Sequence, residues 1–279
     1  MAGGSQPRIG LFALTGMGNA VLRALARVGT RPVLVVTRAE AGSFPYYPEQ
    51  PLVQSAADHG IDCLIGEEGE RHAATEGLDV ILIATYHRIL KPALLATAKH
   101  AINLHPSLLP RYRGANPFFW VIRNGEHETG LTAHGVTAEV DAGPIHWQRI
   151  IPIDTDETQG TLRRRLADLA AEAAVDVVMA IRADKLERRP QQADLASSYE
   201  RPSENDRLVD LSRDLETTAR WVRALSPFPG ALVEGRKVSG VVGLSEMPVA
   251  HPGATTVTES AGTLRIERDR QVLTLRLAD

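Results

Sequence analysis

Five short apolar runs, separated by helical or turn-rich stretches, set the tightest limit on what this chain can fold into. They are "RIGLFAL" (8–14), "PVLVVT" (32–37), "DCLIG" (62–66), "DVILIAT" (79–85) and "AINLH" (101–105). Their apolar residues are consecutive rather than alternate, the pattern of strands buried on both faces. Strands alternating with helices predict an α/β fold with a Rossmann-like, mostly parallel sheet. Ligands of such sheets bind beyond the carboxyl ends of the strands.

Downstream, "TGLTAHGV" (129–136) and "PIHWQRIIPI" (144–153) read as two further strands. A long helix is expected over about 158–183, where apolar residues recur at helical spacing. The polar stretch 184–207 holds two prolines and reads as a linker, so the chain divides into a domain over 1–185, a linker over 186–206 and a β-rich domain over 207–279. With 31 Lys and Arg against 34 Asp and Glu, the net charge of −3 argues against a broad basic surface for nucleic acid. The single cysteine, Cys63, cannot form an internal disulfide and reads as a small buried residue. No metal site is expected, because no Cys/His cluster has zinc spacing. The chain carries no run long enough for a membrane span and no signal-peptide order, which points to a cytoplasmic protein without a membrane partner.

Two stretches are candidate sites. "TGMGNAV" places Gly16 and Gly18 between a strand and a helix, where backbone N–H groups can meet an anion. The third fingerprint position is Val21 and the position expected to hold a ribose ligand is near Arg38, so an NAD site is poorly matched. An NADP-dependent reductase would tolerate Arg38; a tight turn that binds no dinucleotide is the plainer reading. The second stretch is "INLHPSLLPRYRG" (102–114). Residues two apart in a strand share a face, so Asn103 and His105 project together at a strand end that Pro106 stops. Asp141, in "VDAGPI", lies between Val140 and the small pair Ala142 and Gly143, a poor place for a mere surface charge.

These stretches, with "NGEHETGLTAHGVTAEVDAGPI" and more weakly "ATYHRILKPALL", resemble the tetrahydrofolate-dependent formyltransferases, a family that includes methionyl-tRNA and sugar-amine members. The resemblance covers about 8–185. "WVRALSPFPGAL" (221–232) resembles the start of the C-terminal domain of those members, an open barrel like an OB fold. The resemblance implies that Asn103, His105 and Asp141 are catalytic. Asn103 and His105 would donate to the oxyanion formed as an amine attacks 10-formyltetrahydrofolate, each donor contributing about 3–4 kcal/mol. Asp141 would orient His105 or a water, favour the protonated imidazole and help remove the amine proton. No metal and no covalent enzyme intermediate are required. Arg88, Ile89 and Leu90, with Ala138, Glu139 and Val140, would form the slot for the folate. Gly16, Met17, Ser107 and Tyr112 would bind the acceptor, and His134 would be a structural neighbour of the three catalytic residues.

The tRNA members carry a lysine-rich loop after the second strand. Here "TRAEAGSFPYYPEQPLV" (37–53) has Arg38, no lysine, two acids (Glu40 and Glu49), and Phe44, Tyr46 and Tyr47 set among prolines. Aromatics held outward would suit stacking on a small substrate better than neutralising phosphates, and aromatics that simply pack the loop onto the domain are an equal reading. The expected acceptor is therefore a small amine, an amino-sugar nucleotide or a hydroxylated amino acid, with methionyl-tRNA the alternative and tRNA not expected as a partner. The basic run Arg163, Arg164 and Arg165 reads as a solvated helix face, whereas Arg236 and Lys237 could touch a nucleic-acid backbone. A non-catalytic folate-binding protein is a reading of another class. Oligomeric state is left open.

Overall fold

The computed structural model describes residues 6–39, 46–47 and 50–278, with the backbone alone described over 248–254. Elements follow in chain order: β1 (Ile9–Ala13), α1 (Met17–Arg27), β2 (Leu34–Thr37), α2 (Leu52–Asp58), β3 (Asp62–Ile65), α3 (Gly66–Ala73), β4 (Val80–Ala84), α4 (Pro92–Leu95) and β5 (His100–His105). Next come β6 (Arg113–Gly114), α5 (Pro117–Arg123), β7 (Glu128–Gly135), β8 (Ile145–Pro152), α6 (Gln159–Arg182) and β9 (Ser198–Tyr199). The chain ends with α7 (Leu215–Ala224), β10 (Ala231–Val233), β11 (Arg236–Ser260) and β12 (Thr263–Leu277). Among the described residues no helix is long and apolar enough to cross a membrane.

Two compact units result, and neither is continuous in sequence. The first comprises 1–114, 128–152 and 163–198; the second comprises 115–127, 153–162 and 199–279. The first unit is built on a seven-stranded sheet, counted over the described residues, in the order β3-β2-β1-β4-β5-β7-β8. The first five strands are parallel; β7 and β8 are antiparallel to their neighbours. All five residues of β1 are buried, as a central strand covered on both faces requires. Phe12, Leu34, Val36, Ile81 and Leu90 pack with Ala73 and Leu94 as one cluster on one side of the sheet. Each such fully buried side chain contributes about 1.5–3 kcal/mol.

The strand order reverses at β1, which lies between β2 and β4, so the carboxyl ends of β1, β4 and β5 form a rim. Pairing of Ile83 with Asn103 carries that rim onto β5, and pairing of Asn103 with His134 carries it onto β7. Cys63 sits on β3 half-buried rather than buried.

The segment expected as a linker is in its first part a wall of this unit. Arg189 and Ile145 exchange backbone hydrogen bonds of 2.7 and 2.9 Å, and Arg113 N–H donates to the Ser197 carbonyl at 2.8 Å. Polar composition marked it as exposed chain, but its backbone groups are satisfied by pairing with ordered strands.

In the second unit β10, β11 and β12 form an antiparallel sheet in that order. Helix α7 is capped by Asp214, whose carboxylate accepts from the Thr217 N–H at 2.7 Å. Leu215, Ala219 and Val222, at helical spacing, are buried. The Arg123 guanidinium of α5 lies 3.6 Å over the Trp221 ring, and Trp221 Nε1 donates to the Asp206 carbonyl at 2.7 Å. That packing explains the tryptophan of "WVRAL".

Candidate active site

Strand pairing, one proline stop and one tight turn bring Asn103, His105 and Asp141 into contact. Asn103 Nδ2 donates to Asp141 Oδ1 at 3.3 Å and lies 3.2 Å from His134 Nε2. His105 Nδ1 stands 3.5 Å from Asp141 Oδ2, and His134 Nε2 stands 3.4 Å from Asp141 Oδ1. The Gly114 backbone N–H donates to Asp141 Oδ2 at 2.8 Å. His134, expected as a neighbour, thus touches both Asn103 and Asp141.

The partners fix the tautomers. His105 Nε2 faces the Tyr112 carbonyl at 2.8 Å, and a carbonyl only accepts, so Nε2 carries the hydrogen and Nδ1 is the nitrogen turned toward Asp141. His134 Nδ1 faces the Gly135 carbonyl at 2.9 Å, which leaves Nε2 as the acceptor of an Asn103 hydrogen in the neutral ring.

Burial of His105 pushes its pKa down, and this outweighs the opposing pull of Asp141. Asp141 does favour the protonated form, as expected, but burial outweighs it and the ring is held neutral. Burial works against ionising Asp141 as well. Attraction to the His105 ring when that ring is protonated, a hydrogen bond from His134 Nε2 when that nitrogen carries a hydrogen, and the Gly114 N–H overcome it, and the carboxyl is held well below the usual carboxylate range. Asp141 also has φ 53°, a left-handed conformation uncommon outside glycine. The site thus pairs a neutral imidazole, its free nitrogen pointing inward, with a fixed carboxylate.

The other expected site residues divide sharply. Ile89 is 86% exposed and Val140 54% exposed, both unusual for aliphatic side chains, while Ala138 and Glu139 are exposed beside Val140. Leu90 belongs to the core cluster, with its side chain buried. Arg88 is engaged by α3, with contacts of 2.6 Å to Glu67 and 2.9 Å to Glu70.

The four residues expected on the acceptor side are each engaged within the scaffold. Met17 is fully buried in the core. Gly16 gives its N–H to Asn19 Oδ1 at 2.8 Å, and a Cβ there would meet the Tyr47 ring at 2.3 Å, so the turn is covered by an aromatic ring and its donor is engaged. Ser107 is fully buried and donates to the Arg111 carbonyl at 2.9 Å, tying the loop after β5. Tyr112 is buried and acts through its backbone carbonyl on His105. Met17, Ser107 and Tyr112 thus have buried side chains, and the Gly16 N–H is engaged locally.

The described residues of the aromatic loop take the packed arrangement. Tyr46 and Tyr47 are buried, not held outward. Arg163 lies 4.6 Å over the Tyr46 ring, Arg164 donates to the Tyr46 carbonyl at 3.3 Å, and Arg165 donates to the Pro152 carbonyl at 3.0 Å. Arg163 and Arg165 are thus half-buried by packing while Arg164 stays exposed, so the run is a solvated face only in part. Arg236, in the second unit, pairs with Glu259 at 2.6 Å. Glu40, Phe44, Pro45, Pro48 and Glu49 lie outside the described residues.

Sequence reasoning missed Gln191. Its Nε2 donates to the carbonyls of both Asp141 and Gly143 at 2.8 Å, and its Oε1 accepts from Arg113 Nε at 3.2 Å and Nη2 at 2.8 Å. Nothing in "RRPQQADL" distinguishes this glutamine from its neighbour Gln192.

Comparison with known proteins agrees with this geometry. The formyl transferase family profile matches residues 61–178. A methionyl-tRNA formyltransferase of Aromatoleum aromaticum is 33% identical over 253 residues, 87% of this chain and 80% of that protein. Its counterpart from Anaeromyxobacter dehalogenans strain 2CP-C is 34% identical over 272 residues, 91% of this chain and 86% of that protein. Among solved structures, the N-formyltransferase from Helicobacter canadensis in complex with folinic acid and dTDP-3-aminofucose superposes with a TM-score of 0.75 at 17% identity, covering 97% of this chain and 99% of that one. The fold is that of the formyltransferases, a mostly parallel α/β sheet followed by an antiparallel half-barrel. With a rim of amide, neutral imidazole and carboxylate on that sheet, and relatives of this identity along most of its length, the chain belongs to the formyl transferase family and is a formyltransferase enzyme.

Proposed function

We propose that this enzyme moves a formyl group from 10-formyltetrahydrofolate to a primary amine, and that the amine is the amino group of methionyl-tRNA. The observation that carries the chemistry is the cluster of Asn103, His105 and Asp141, with contacts of 3.3 and 3.5 Å and the tautomer of His105 set by Tyr112. Formyl transfer needs a donor for the carbonyl oxygen as negative charge develops on it, and an acceptor for the amine proton. Asn103 supplies the first by giving up one of its long contacts to Asp141 or His134. His105 Nδ1 supplies the second, and Asp141 stabilises the imidazolium that results; collapse of the tetrahedral adduct then breaks the bond from the formyl carbon to the folate nitrogen, which takes the proton from that imidazolium as tetrahydrofolate leaves. The chain's own residues thus account for both charge changes.

Ile89 and Val140 support a slot for the flat pterin of the folate, because each exposes an aliphatic side chain to water without a covering partner of its own. If Ile89 packs on that ring, Ile89→Asp weakens folinic acid binding by about 10-fold or more, the loss expected for one buried aliphatic side chain. Titration calorimetry reads this, and unchanged affinity removes Ile89 from the slot.

For the acceptor, relatives at 33% and 34% identity along most of the chain favour methionyl-tRNA, whereas the amino-sugar enzyme at 17% shares the fold. Burial of Tyr46 and Tyr47 also withdraws the stacking loop that favoured a small substrate. A small amine remains as a second reading because residues 37–53 hold Arg38 as their sole basic residue and the chain is net acidic at −3. Purified enzyme with 10-formyltetrahydrofolate is to be offered charged initiator tRNA and a dTDP-linked amino sugar across a salt series. Formylation of the tRNA that falls steeply with salt is the expected result, since phosphate contacts dominate such affinities. Formylation of the amino sugar alone would overturn the tRNA reading.

A further inference from the structure

We propose that Gln191 is a positioning residue for catalysis, holding Asp141 in place; the inference rests on the role of Asp141 in the formyl-transfer reading above. The Gln191 amide uses its full hydrogen-bonding capacity within this site. Both Nε2 hydrogens go to the turn that carries Asp141, one to the Asp141 carbonyl and one to the Gly143 carbonyl, each at 2.8 Å. Oε1 takes two guanidinium nitrogens of Arg113, whose third contact is Glu139 at 3.0 Å.

The residue after Arg113 is Gly114, whose N–H donates to Asp141 Oδ2 at 2.8 Å. One side chain therefore bridges the two segments that define Asp141: the turn that carries its backbone and the stretch that supplies a donor to its carboxylate. The turn needs such a brace. Asp141 has φ 53°, and a non-glycine residue keeps that conformation where its surroundings over-determine it. On its other side the turn is pressed against β7, where a Cβ on Gly143 would lie 1.7 Å from the Gly135 carbonyl oxygen. Gln191 itself is anchored by the backbone pairing of Arg189 with Ile145, two residues before it.

Glutamine is the residue that can do this. A glutamate of the same length can still accept from Arg113, but it has no hydrogen for either carbonyl and repels both. Gln191→Glu therefore separates the two halves of the brace while keeping the contact to Arg113. The expected result is a fall in kcat of about 100-fold, the effect of a misplacement on the order of 1 Å at a reacting group. KM for 10-formyltetrahydrofolate and folinic acid affinity should change far less than kcat, with the variant still folded at the assay temperature. Because Gln191 acts through Asp141, the same substitution made in an Asp141→Asn background should lower kcat little further, and a double-mutant cycle measures that.

Wild-type enzyme assayed on methionyl-tRNA and on the amino sugar is the control. If it formylates neither, the formyl-transfer reading fails, and with it the premise of this one. If it is active and Gln191→Glu is equally active, or loses as much in the Asp141→Asn background, the positioning role is overturned. Should Gln191→Glu fail to fold, Gln191→Met, which keeps the volume without either polar group, is measured in the same cycle. Unfolding of both variants makes the residue structural and overturns the proposal.

Discussion

Asn103→Ala lowers kcat by about 100–1,000-fold, the loss typical of removing one donor to a developing oxyanion. His105→Gln, which can still donate to the Tyr112 carbonyl but offers no basic nitrogen, lowers it by about 100–10,000-fold. The two substitutions test different halves of the chemistry. In the resting enzyme Asn103 Nδ2 is shared between Asp141 Oδ1 and His134 Nε2, at 3.3 and 3.2 Å. Both contacts are long for a charge-assisted or neutral hydrogen bond, so either can be exchanged for a formyl oxygen. Asn103 is half-buried at a strand end, so its truncation leaves the sheet intact, and the melting temperature serves as the control. Glutamine is preferred to alanine at 105 because the ring is buried, and alanine would leave both a cavity and an unpaired carbonyl. Single-turnover formylation with the accepted amine measures both variants. Wild-type rates in a folded Asn103→Ala enzyme would remove the oxyanion role.

Strand positions were legible in the sequence, because a parallel sheet covered on both faces demands continuous apolar runs. "DVILIAT" became β4 (Val80–Ala84) and "PVLVVT" became β2 (Leu34–Thr37) with little change. The convergence of Asn103 and His105 was equally legible, since strand alternation puts them on one face. The packing around the acceptor-side residues was not. Ser107 and Tyr112 stand in a loop, where spacing carries no direction, and both turn inward to hold that loop. Gly16 and Met17 sit at a strand-to-helix turn whose chemistry depends on Tyr47, 31 positions beyond Gly16, and sequence gives no sign of that packing. Gln191 was hidden for the opposite reason. A polar stretch with prolines resembles solvated chain, and only the pairing of Arg189 with Ile145 lays it against the site. The neutral state of His105 was not legible either, because sequence shows the neighbouring carboxylate but not the depth of burial, and burial is the larger effect.

That last point yields the second large effect. Asp141 is held so far below the usual carboxylate range that it stays ionised throughout the working range of the enzyme. An acid limb in the pH profile of kcat must then belong to His105, which has to be neutral to accept the amine proton. Burial lowers the His105 pKa, so the limb should have its midpoint below the ordinary histidine value of about 6.5, and rates should rise with pH through it. Asp141 opposes that lowering from 3.5 Å away. Asp141→Asn removes the opposing charge, so the His105 pKa falls further and the acid limb moves to lower pH. The same change withdraws support from the imidazolium formed during the reaction, so the plateau drops by about 100–10,000-fold. An asparagine oxygen can keep the Gly114 N–H that now reaches Asp141 Oδ2 at 2.8 Å, which leaves the turn in place. The displaced limb and the lowered plateau must appear together. A lowered plateau with an unmoved limb would mean that His105 is not the titrating base, and the proton would then have to leave the amine by another route, through water rather than through this ring.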